Sequence, residues 1–183
     1  IDAIEVTIQP DDADWSAGDI RYNVLRWTSS PNPPFGGYGP SFTNPRTGEI
    51  LGADIMLEWI YLTNRVRYSE IFENQEIREN DFCHNSLIKQ ENRIFGKLAT
   101  EALNLNENEI SRLYEEDLYQ LILHEVGHTL GLNHNFAAST LHNNSDVHNP
   151  EITYKEGLSS SVMDYHALNI APLGVEPGQY ADV

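Results

Sequence analysis

The sequence predicts a single α+β domain, and three observations support this. The chain has 183 residues, a length that suits one substantial core and not several independent domains. The first third contains apolar segments with the alternation typical of strands, whereas apolar residues after about position 85 recur at helical spacing. Hydrophobic residues make up 40% of the chain, which together with 12 glycines gives an ordinary globular composition and argues against disorder.

Three segments are predicted to be strands because their apolar residues alternate or form a buried run: AIEVTI (3–8), RYNVLRW (21–27) and ILGADIMLEWIYL (50–62). Between them lie SSPNPPFGGYGPS (29–41) and TNPRTGE (43–49), which are dense in proline, glycine and asparagine and are predicted to be turns. Within the first of these, GGYGP (36–40) is interpreted as a tight connection in preference to a mobile rim beside a cleft.

Two helices are predicted next. The first extends from about Asn85 to Leu103, and the second begins near Asn106, a residue that can cap it, with Glu109 where a capping-box acid belongs. The apolar residues of the second helix follow the i, i+3, i+4 spacing of a helix packed on a core, at Ile110, Leu113, Tyr114, Leu118, Leu121 and Ile122. This helix runs into the stretch HEVGHTLGLNHN (124–135).

The charge balance restricts the partners. With 28 acidic and 11 basic residues, the net charge of −17 repels nucleic acid and anionic membranes. Solubility is the simpler explanation of this acidity, and Ca²⁺ binding is the alternative. No apolar run reaches the 18 or so residues that span a bilayer. Cys83 is the single cysteine, so no internal disulfide forms, and we expect it to be a buried, inert thiol.

The histidine spacing in HEVGHTLGLNHN predicts one metal site. His124 and His128 lie four residues apart, about 6 Å along a helix and on one face, so both can reach the same ion. In a continuous helix His134 would lie about 15 Å from His124, so the helix must break, and Gly131 is the residue that permits the break. Three imidazoles around Zn²⁺ leave one position for water, as in a catalytic site.

Glu125 is predicted to be the general base of this site. A carboxylate bound to the metal would fill the position that water needs, so Glu125 is better placed to accept a proton from that water. Zinc lowers the pKa of bound water to as little as about 7, which makes hydrolysis of a polarised carbonyl feasible at neutral pH. The chemistry that follows is metal-assisted hydrolysis of a peptide bond.

HEVGHTLGLNH (124–134) resembles HExxHxxGxxH, the zinc signature of the metzincin metallopeptidases, and SVMDY (161–165) resembles their Met-turn. The resemblance implies that Met163 forms an apolar floor below the histidines and that Tyr165 approaches the zinc and stabilises the oxyanion. It extends over roughly residues 20–170, and is nearest to the metzincin domain of large, mostly secreted bacterial zinc-dependent metalloproteases. The segments that carry it are RYNVLRW, GPSFTNPRTGEILGADI, HEVGHTLGLNHNFAAS and SVMDY.

For the fold, the resemblance implies one catalytic domain over residues 1–183, trimmed at both ends. An upper lobe (1–134) would hold a twisted mixed sheet and the long active-site helix, and an irregular lower lobe (135–183) would hold the Met-turn. In metzincins an edge strand pairs with extended substrate, and ADIMLEW (53–59) is the candidate, with an interior strand as the equal alternative. The resemblance also implies a secreted, periplasmic or cell-surface location.

The function predicted is that of a zinc endopeptidase acting on protein or peptide. Two alternatives stay open: a zinc-holding interaction module that does not cleave and contacts other domains of a larger polypeptide, and a zinc hydrolase of non-peptide amides. The remaining histidines are excluded from the site. The spacing of His142 and His148 around Asp146 matches no strong template for a second metal. His84 has no companion except Cys83, and His166, beside Tyr165, is interpreted equally as lining the primed side of the cleft or as a surface residue.

Overall fold

The computed structural model describes residues 4–30, 35–59, 95–96 and 98–183. These residues form a mixed sheet and a long helix, which confirms the predicted α+β class. In chain order the elements are β1 (Val24–Thr28), β2 (Gly37–Tyr38), β3 (Ser41–Thr43), β4 (Ile50–Glu58), α1 (Glu107–Thr129), a 3₁₀ turn (Ala138–Thr140) and α2 (Pro150–Glu156).

Strand β4 lies inside the sheet and not at its edge. It pairs in parallel with β1, where Val24 faces Asp54, and antiparallel with β2 on its other side, where Gly37 faces Leu57. Strand β3 also pairs antiparallel with β4. The prediction that residues 53–59 form a substrate-binding edge is therefore wrong, because both sides of this segment already carry neighbouring strands, as its largely buried apolar run requires.

The glycine-rich segment 36–40 is a strand at its centre, so its interpretation as a plain connection is also wrong. Gly37 and Tyr38 pair with β4, and the amide of Glu58 donates to the carbonyl of Gly36 at 2.8 Å. Glycine normally weakens a strand, but it is used where another backbone approaches closely. The TNPRTGE turn is confirmed, since residues 44–49 close the β3–β4 hairpin.

The first predicted strand is absent from the residues described. Residues 4–8 are irregular, and Val6 and Ile8 are 89% and 95% exposed. Alternation favours a strand only when a hydrogen-bonded neighbour is present, and none of the described strands pairs with this segment. The second predicted strand is confirmed as β1.

Helix α1 begins where the sequence predicts. The side chain of Asn106 accepts from the amide of Glu109 at 3.1 Å, and the amide of Asn106 donates to the Glu109 carboxylate at 3.0 Å, which completes a capping box. Of the helix expected over about 85–103, residues 95–96 and 98–103 are helical. The rest of that segment, Cys83 and His84 lie outside the described residues.

Two apolar clusters hold α1 in place. Leu121 packs on Ile55 and Leu57 of β4, which fixes the middle of the helix on the sheet. Leu113, which belongs to the apolar residues predicted to face the core, packs with Leu168, Tyr180 and Ala181. The helix is thus clamped between the sheet and the end of the described chain. Among the helices described, none combines the length and apolar character needed to cross a bilayer.

Candidate metal centre

The structure brings the three histidines of the HEVGHTLGLNH stretch together. One side-chain nitrogen from each of His124, His128 and His134 lies within 4.8 Å of the others. The Nε2 atoms of His128 and His134 are 3.1 Å apart. His124 is fully buried, and the other two are half-buried. The three rings therefore face one centre that opens towards the surface on one side.

The chain reaches this arrangement by ending α1 sharply. The last helical residue is Thr129, and Gly131 has φ +86°, a left-handed conformation that glycine adopts without steric cost. The amides of Gly131 and Leu132 donate to the carbonyls of His128 and Gly127, at 2.9 and 3.0 Å, and close a helix-ending turn. This turn directs residue 134 back towards the helix it follows.

Hydrogen bonds orient two of the imidazoles. Nδ1 of His124 lies 2.7 Å from the carbonyl of Val162, and Nδ1 of His128 lies 3.0 Å from the carbonyl of Leu132. A carbonyl only accepts, so each Nδ1 is the protonated nitrogen and each Nε2 carries the lone pair. Outer hydrogen bonds of this kind are the usual way in which proteins orient histidine ligands of a metal.

The residues present fit a zinc ion. Tetrahedral coordination at the usual Zn–N distance of about 2.0–2.1 Å places ligand nitrogens about 3.3–3.4 Å apart. The separation of 3.1 Å between the Nε2 atoms of His128 and His134 is close to that value. A set of three neutral nitrogens with no cysteine is the ligand set of catalytic zinc more than of structural zinc.

Glu125 directly follows His124 on α1, and its surroundings could not be predicted from the sequence. Its side chain is fully buried. A Cβ at Gly37 would lie 3.2 Å from its Oε1, and a Cβ at Gly39 would lie 2.5 Å from its carbonyl oxygen. Gly37 and Gly39 therefore leave no room for a side chain between them and this turn of α1.

Met163 lies below the helix, as a Met-turn methionine would. It is 1% exposed, and a Cβ at Gly127 would overlap its sulfur. Its carbonyl accepts from the amide of Asn135 at 3.0 Å, which joins this turn to the residue after His134. The absence of a side chain at position 127 is thus what allows the turn to pack so closely under the histidines.

Tyr165 reaches the histidines from the same turn. Its hydroxyl lies 2.7 Å from Nε2 of His134. The preceding residue, Asp164, is buried and accepts from the amides of Ser139 and Tyr165, at 2.6 and 2.7 Å. Phe136, which is 62% exposed, stacks on the ring of His134 and meets the ring of Tyr165 edge to face. The sequence flagged Tyr165 but gave no reason to single out Asp164 or Phe136.

One further residue that the sequence did not single out acts through the backbone of the Met-turn. Gln120, fully buried one turn before His124, donates to the carbonyl of Val162 at 3.3 Å. That carbonyl is the one that His124 also contacts. The four-residue spacing in the sequence indicates that Gln120 and His124 share a helix face. The carbonyl that both contact lies 42 and 38 residues further along the chain, so the sequence does not predict this contact.

The end of the described chain holds α1 from the other side. The Glu116 carboxylate accepts from the amides of Tyr180 and Ala181, at 2.5 and 3.3 Å. Arg112 donates to the carbonyl of Gly178 and covers the ring of Tyr180. Burial raises the pKa of Glu116 above its ordinary value, and the two amides and Arg112 offset only part of this effect.

The other described histidines stay outside the site. Nε2 of His142 lies 2.9 Å from the carbonyl of Gly157, and Nδ1 of His166 lies 3.1 Å from the carbonyl of Ala167. Asp146 bonds with the side chains of Asn143 and Ser145. Over residues 4–30, 35–59, 95–96 and 98–183, the three histidines of the triad are the one group of histidine, cysteine or acidic side chains that could hold a metal.

Residues 106–183 match the model of a protein family described as Met-zincin. The match begins at the helix cap Asn106 and includes the histidine triad, Glu125 and the turn around Met163. No curated protein and no solved structure matches the chain. Over these residues the chain is similar to the metzincin family.

Proposed function

We propose that this metzincin-like domain is a zinc-dependent endopeptidase. The family match supports a domain of the zinc metallopeptidase type. The observation that carries the finer proposal is the convergence of the nitrogens of His124, His128 and His134. Glu125, which directly follows His124 on α1, has a fully buried side chain. Structural zinc would need the three nitrogens and a fourth ligand but would have no use for an adjacent carboxylate outside the ligand set.

The three histidines would hold the ion through one ring nitrogen each. When bound, zinc would polarise the substrate carbonyl and lower the pKa of a water molecule. Gly131 serves this set by turning His134 back, and Met163 serves it as an apolar floor that keeps water from the underside of the histidines.

Glu125 would accept the proton of the attacking water and then pass it to the nitrogen of the departing amine. The hydroxyl of Tyr165 lies 2.7 Å from Nε2 of His134, so it is near the position of the ion and would donate to the carbonyl oxygen as negative charge develops there. Peptide bonds in proteins or peptides are the proposed substrates.

The test is to compare the wild-type chain with Glu125→Gln, which preserves size but cannot accept the proton. Zinc content is measured by elemental analysis, and turnover is measured on a library of quenched peptides. We expect one zinc per chain in both proteins and a loss of turnover of at least about 10²-fold in the variant. The control is Glu151→Gln, which removes an exposed carboxylate on α2 and should change neither quantity.

Two other results would replace the proposal. Stoichiometric zinc without peptide turnover in the wild type would favour a non-cleaving interaction module. Turnover of acylated sugars or other non-peptide amides, in the absence of peptide cleavage, would favour a zinc amidohydrolase. In both cases the zinc site would stand, and only the proposed peptide hydrolysis would be replaced.

A further inference from the structure

Gly37 of β2 and Gly39, the residue after that strand, lie close to the proposed general base Glu125. An added Cβ at Gly37 would lie 3.2 Å from Oε1 and 3.4 Å from Cγ of Glu125, and 3.1 Å from Cδ1 of Leu121. Such distances are tighter than ordinary van der Waals contact, so a side chain at position 37 would have to move its neighbours. The end of the Glu125 side chain is among those neighbours.

The strand cannot easily retreat from this contact. Gly37 pairs with Leu57 and Tyr38 with Met56, and the amide of Glu58 donates to the carbonyl of Gly36. Leu57 is itself 1% exposed and packs on Leu121 of α1. Sheet and helix thus fix the gap into which the carboxylate fits.

We propose that Gly37 is a positioning residue that sets where the Glu125 carboxylate lies relative to the histidine centre. The glycine backbone forms one wall of the space available to the carboxylate, and it limits the rotamers that the side chain can adopt. A methyl group on that wall would push the carboxylate away by a few tenths of an ångström or more. The inference rests on the proposed function, because it assigns Gly37 a role through the proposed base.

Gly39 makes a different contact and therefore has a different role. Its added Cβ would lie 2.5 Å from the backbone oxygen of Glu125, and no rotamer of a side chain can relieve that overlap. Gly39 sets the distance between the strand and the helix, whereas Gly37 touches the movable carboxyl group. Since an added Cβ at Gly37 would also meet Leu121, at 3.1 Å, Glu125→Ala is needed to separate an effect on the carboxylate from an effect on packing.

The experiment is a double-mutant cycle of Gly37→Ala and Glu125→Ala on the zinc-loaded chain. Three quantities are measured: zinc affinity by competition with a chelator, affinity for acetohydroxamate by calorimetry, and kcat and KM for a cleaved peptide. Acetohydroxamate binds zinc and forms hydrogen bonds to a neighbouring carboxylate, so it reports the position of that group without turnover. Gly18→Ala is the control, because its Cβ would meet only Ser16 Oγ, at 3.9 Å.

We expect Gly37→Ala to keep zinc affinity within about twofold and to lower kcat about 10–100-fold with little change in KM, since a misplacement of about 1 Å can cost 10²-fold. Acetohydroxamate affinity should fall several-fold. In the Glu125→Ala background, Gly37→Ala should have no further effect on that affinity, because the group it displaces is gone. Gly18→Ala should behave as the wild type.

Equal losses of acetohydroxamate affinity from Gly37→Ala in both backgrounds would overturn the inference, because the glycine would then act on packing alone. If Gly37→Ala fails to fold, rescue of folding by Glu125→Ala supports the inference, and failure of both variants contradicts it. Absence of peptide turnover in the wild type would contradict the proposed function only. The acetohydroxamate cycle would still decide the role of Gly37.

Discussion

Asp164 connects the Met-turn to the chain after His134 through a single buried carboxylate. It accepts from the amide of Ser139 at 2.6 Å and from the amide of Tyr165 at 2.7 Å. Hydrogen bonds to an ionised acceptor in a buried place are among the stronger ones in proteins. Asp164 thus positions the segment that follows His134 and also Tyr165, whose hydroxyl contacts His134.

Replacing Asp164 by asparagine should lower the free energy of unfolding by about 1.5–3 kcal/mol, because the charge that both amides contact is removed. Zinc affinity should fall as well, since the orientation of His134 and Tyr165 depends on this contact. Urea unfolding and chelator competition measure the two effects. Asp146→Asn, in a loop whose bonds are exposed, is the control and should change neither by much. Equal effects from both substitutions would contradict this account.

The raised pKa of Glu116 leads us to expect that the stability of the fold depends on pH. Its pKa in the folded chain is raised, chiefly by burial, so the folded state binds its proton more tightly than the unfolded state does. The resulting stabilisation is complete below the ordinary pKa of a glutamate and is lost as the pH rises through the raised value. Relative to Glu116→Gln, the wild type should therefore lose stability as the pH rises from the ordinary pKa of a glutamate through the raised one.

The measurement is urea unfolding of wild type and Glu116→Gln at several pH values, with both proteins freed of metal so that zinc binding does not contribute. A difference in free energy that stays constant over this range would show that burial does not control this carboxyl group.

How much of the site was predictable differs from residue to residue. The grouping of His124, His128 and His134 follows from helix periodicity and one glycine, which are local properties. The contact of Asp164 with Ser139 joins positions 25 apart in the chain, and the approach of Gly37 to Glu125 joins positions 88 apart. No spacing rule predicts contacts at such separations. Such partners become visible only when the segments are packed together.

At the scale of elements, the break after α1 is the feature on which the histidine centre depends. Gly131 has φ +86°, and a side chain there would also meet Cδ1 of Ile50 at 3.3 Å. The turn it forms is short, so a change in its backbone moves His134 directly.

Gly131→Ala should destabilise the fold by about 1–2 kcal/mol, the cost of a left-handed conformation for a residue with a Cβ, and should also weaken zinc binding. Gly174→Ala is a matched control, since Gly174 has φ +84° and open space around it. We expect Gly174→Ala to lower the free energy of unfolding by a similar amount and to leave the zinc affinity unchanged. Thermal unfolding and chelator competition separate the two effects, and equal zinc affinities in both variants would contradict the role of the turn.

The elements also show why some strands were predicted and others were not. Strand β4 and the cap of α1 follow from a long apolar run and from Asn106, both local signals. Residues 4–8 alternate in the same way as a strand but have no neighbour among the described strands, so alternation alone misled the prediction. Strand β2 was missed for the opposite reason: its glycines are unfavourable in isolation and are needed only because α1 lies against them.

At the scale of the whole molecule, the histidine centre joins parts of the chain that have little else in common. His124 and His128 belong to the helix that packs on the sheet, whereas His134 and Tyr165 belong to irregular segments held by the turn around Met163. A ligand that binds only the folded arrangement stabilises it by mass action. Zinc should therefore act as a cross-link between these parts.

Zinc removal should lower the melting temperature, and free zinc at about 100 times its Kd should add about 2.7 kcal/mol to the free energy of unfolding. Calorimetry of the chain with zinc and with a chelator measures the shift. His134→Ala should lose most of it, and His142→Ala, which removes a histidine outside the triad, should retain it. A zinc-induced shift that is the same in both variants would place the ion elsewhere.

X-ray absorption spectroscopy at the zinc edge tests the central claim most directly, because it counts the atoms bound to the ion. For the chain loaded with one equivalent of zinc, three imidazole nitrogens and one oxygen at about 2.0–2.1 Å are predicted, with one imidazole lost in His134→Ala. A first shell with fewer than three imidazoles in the wild type, or one that His134→Ala leaves unchanged, would contradict the account.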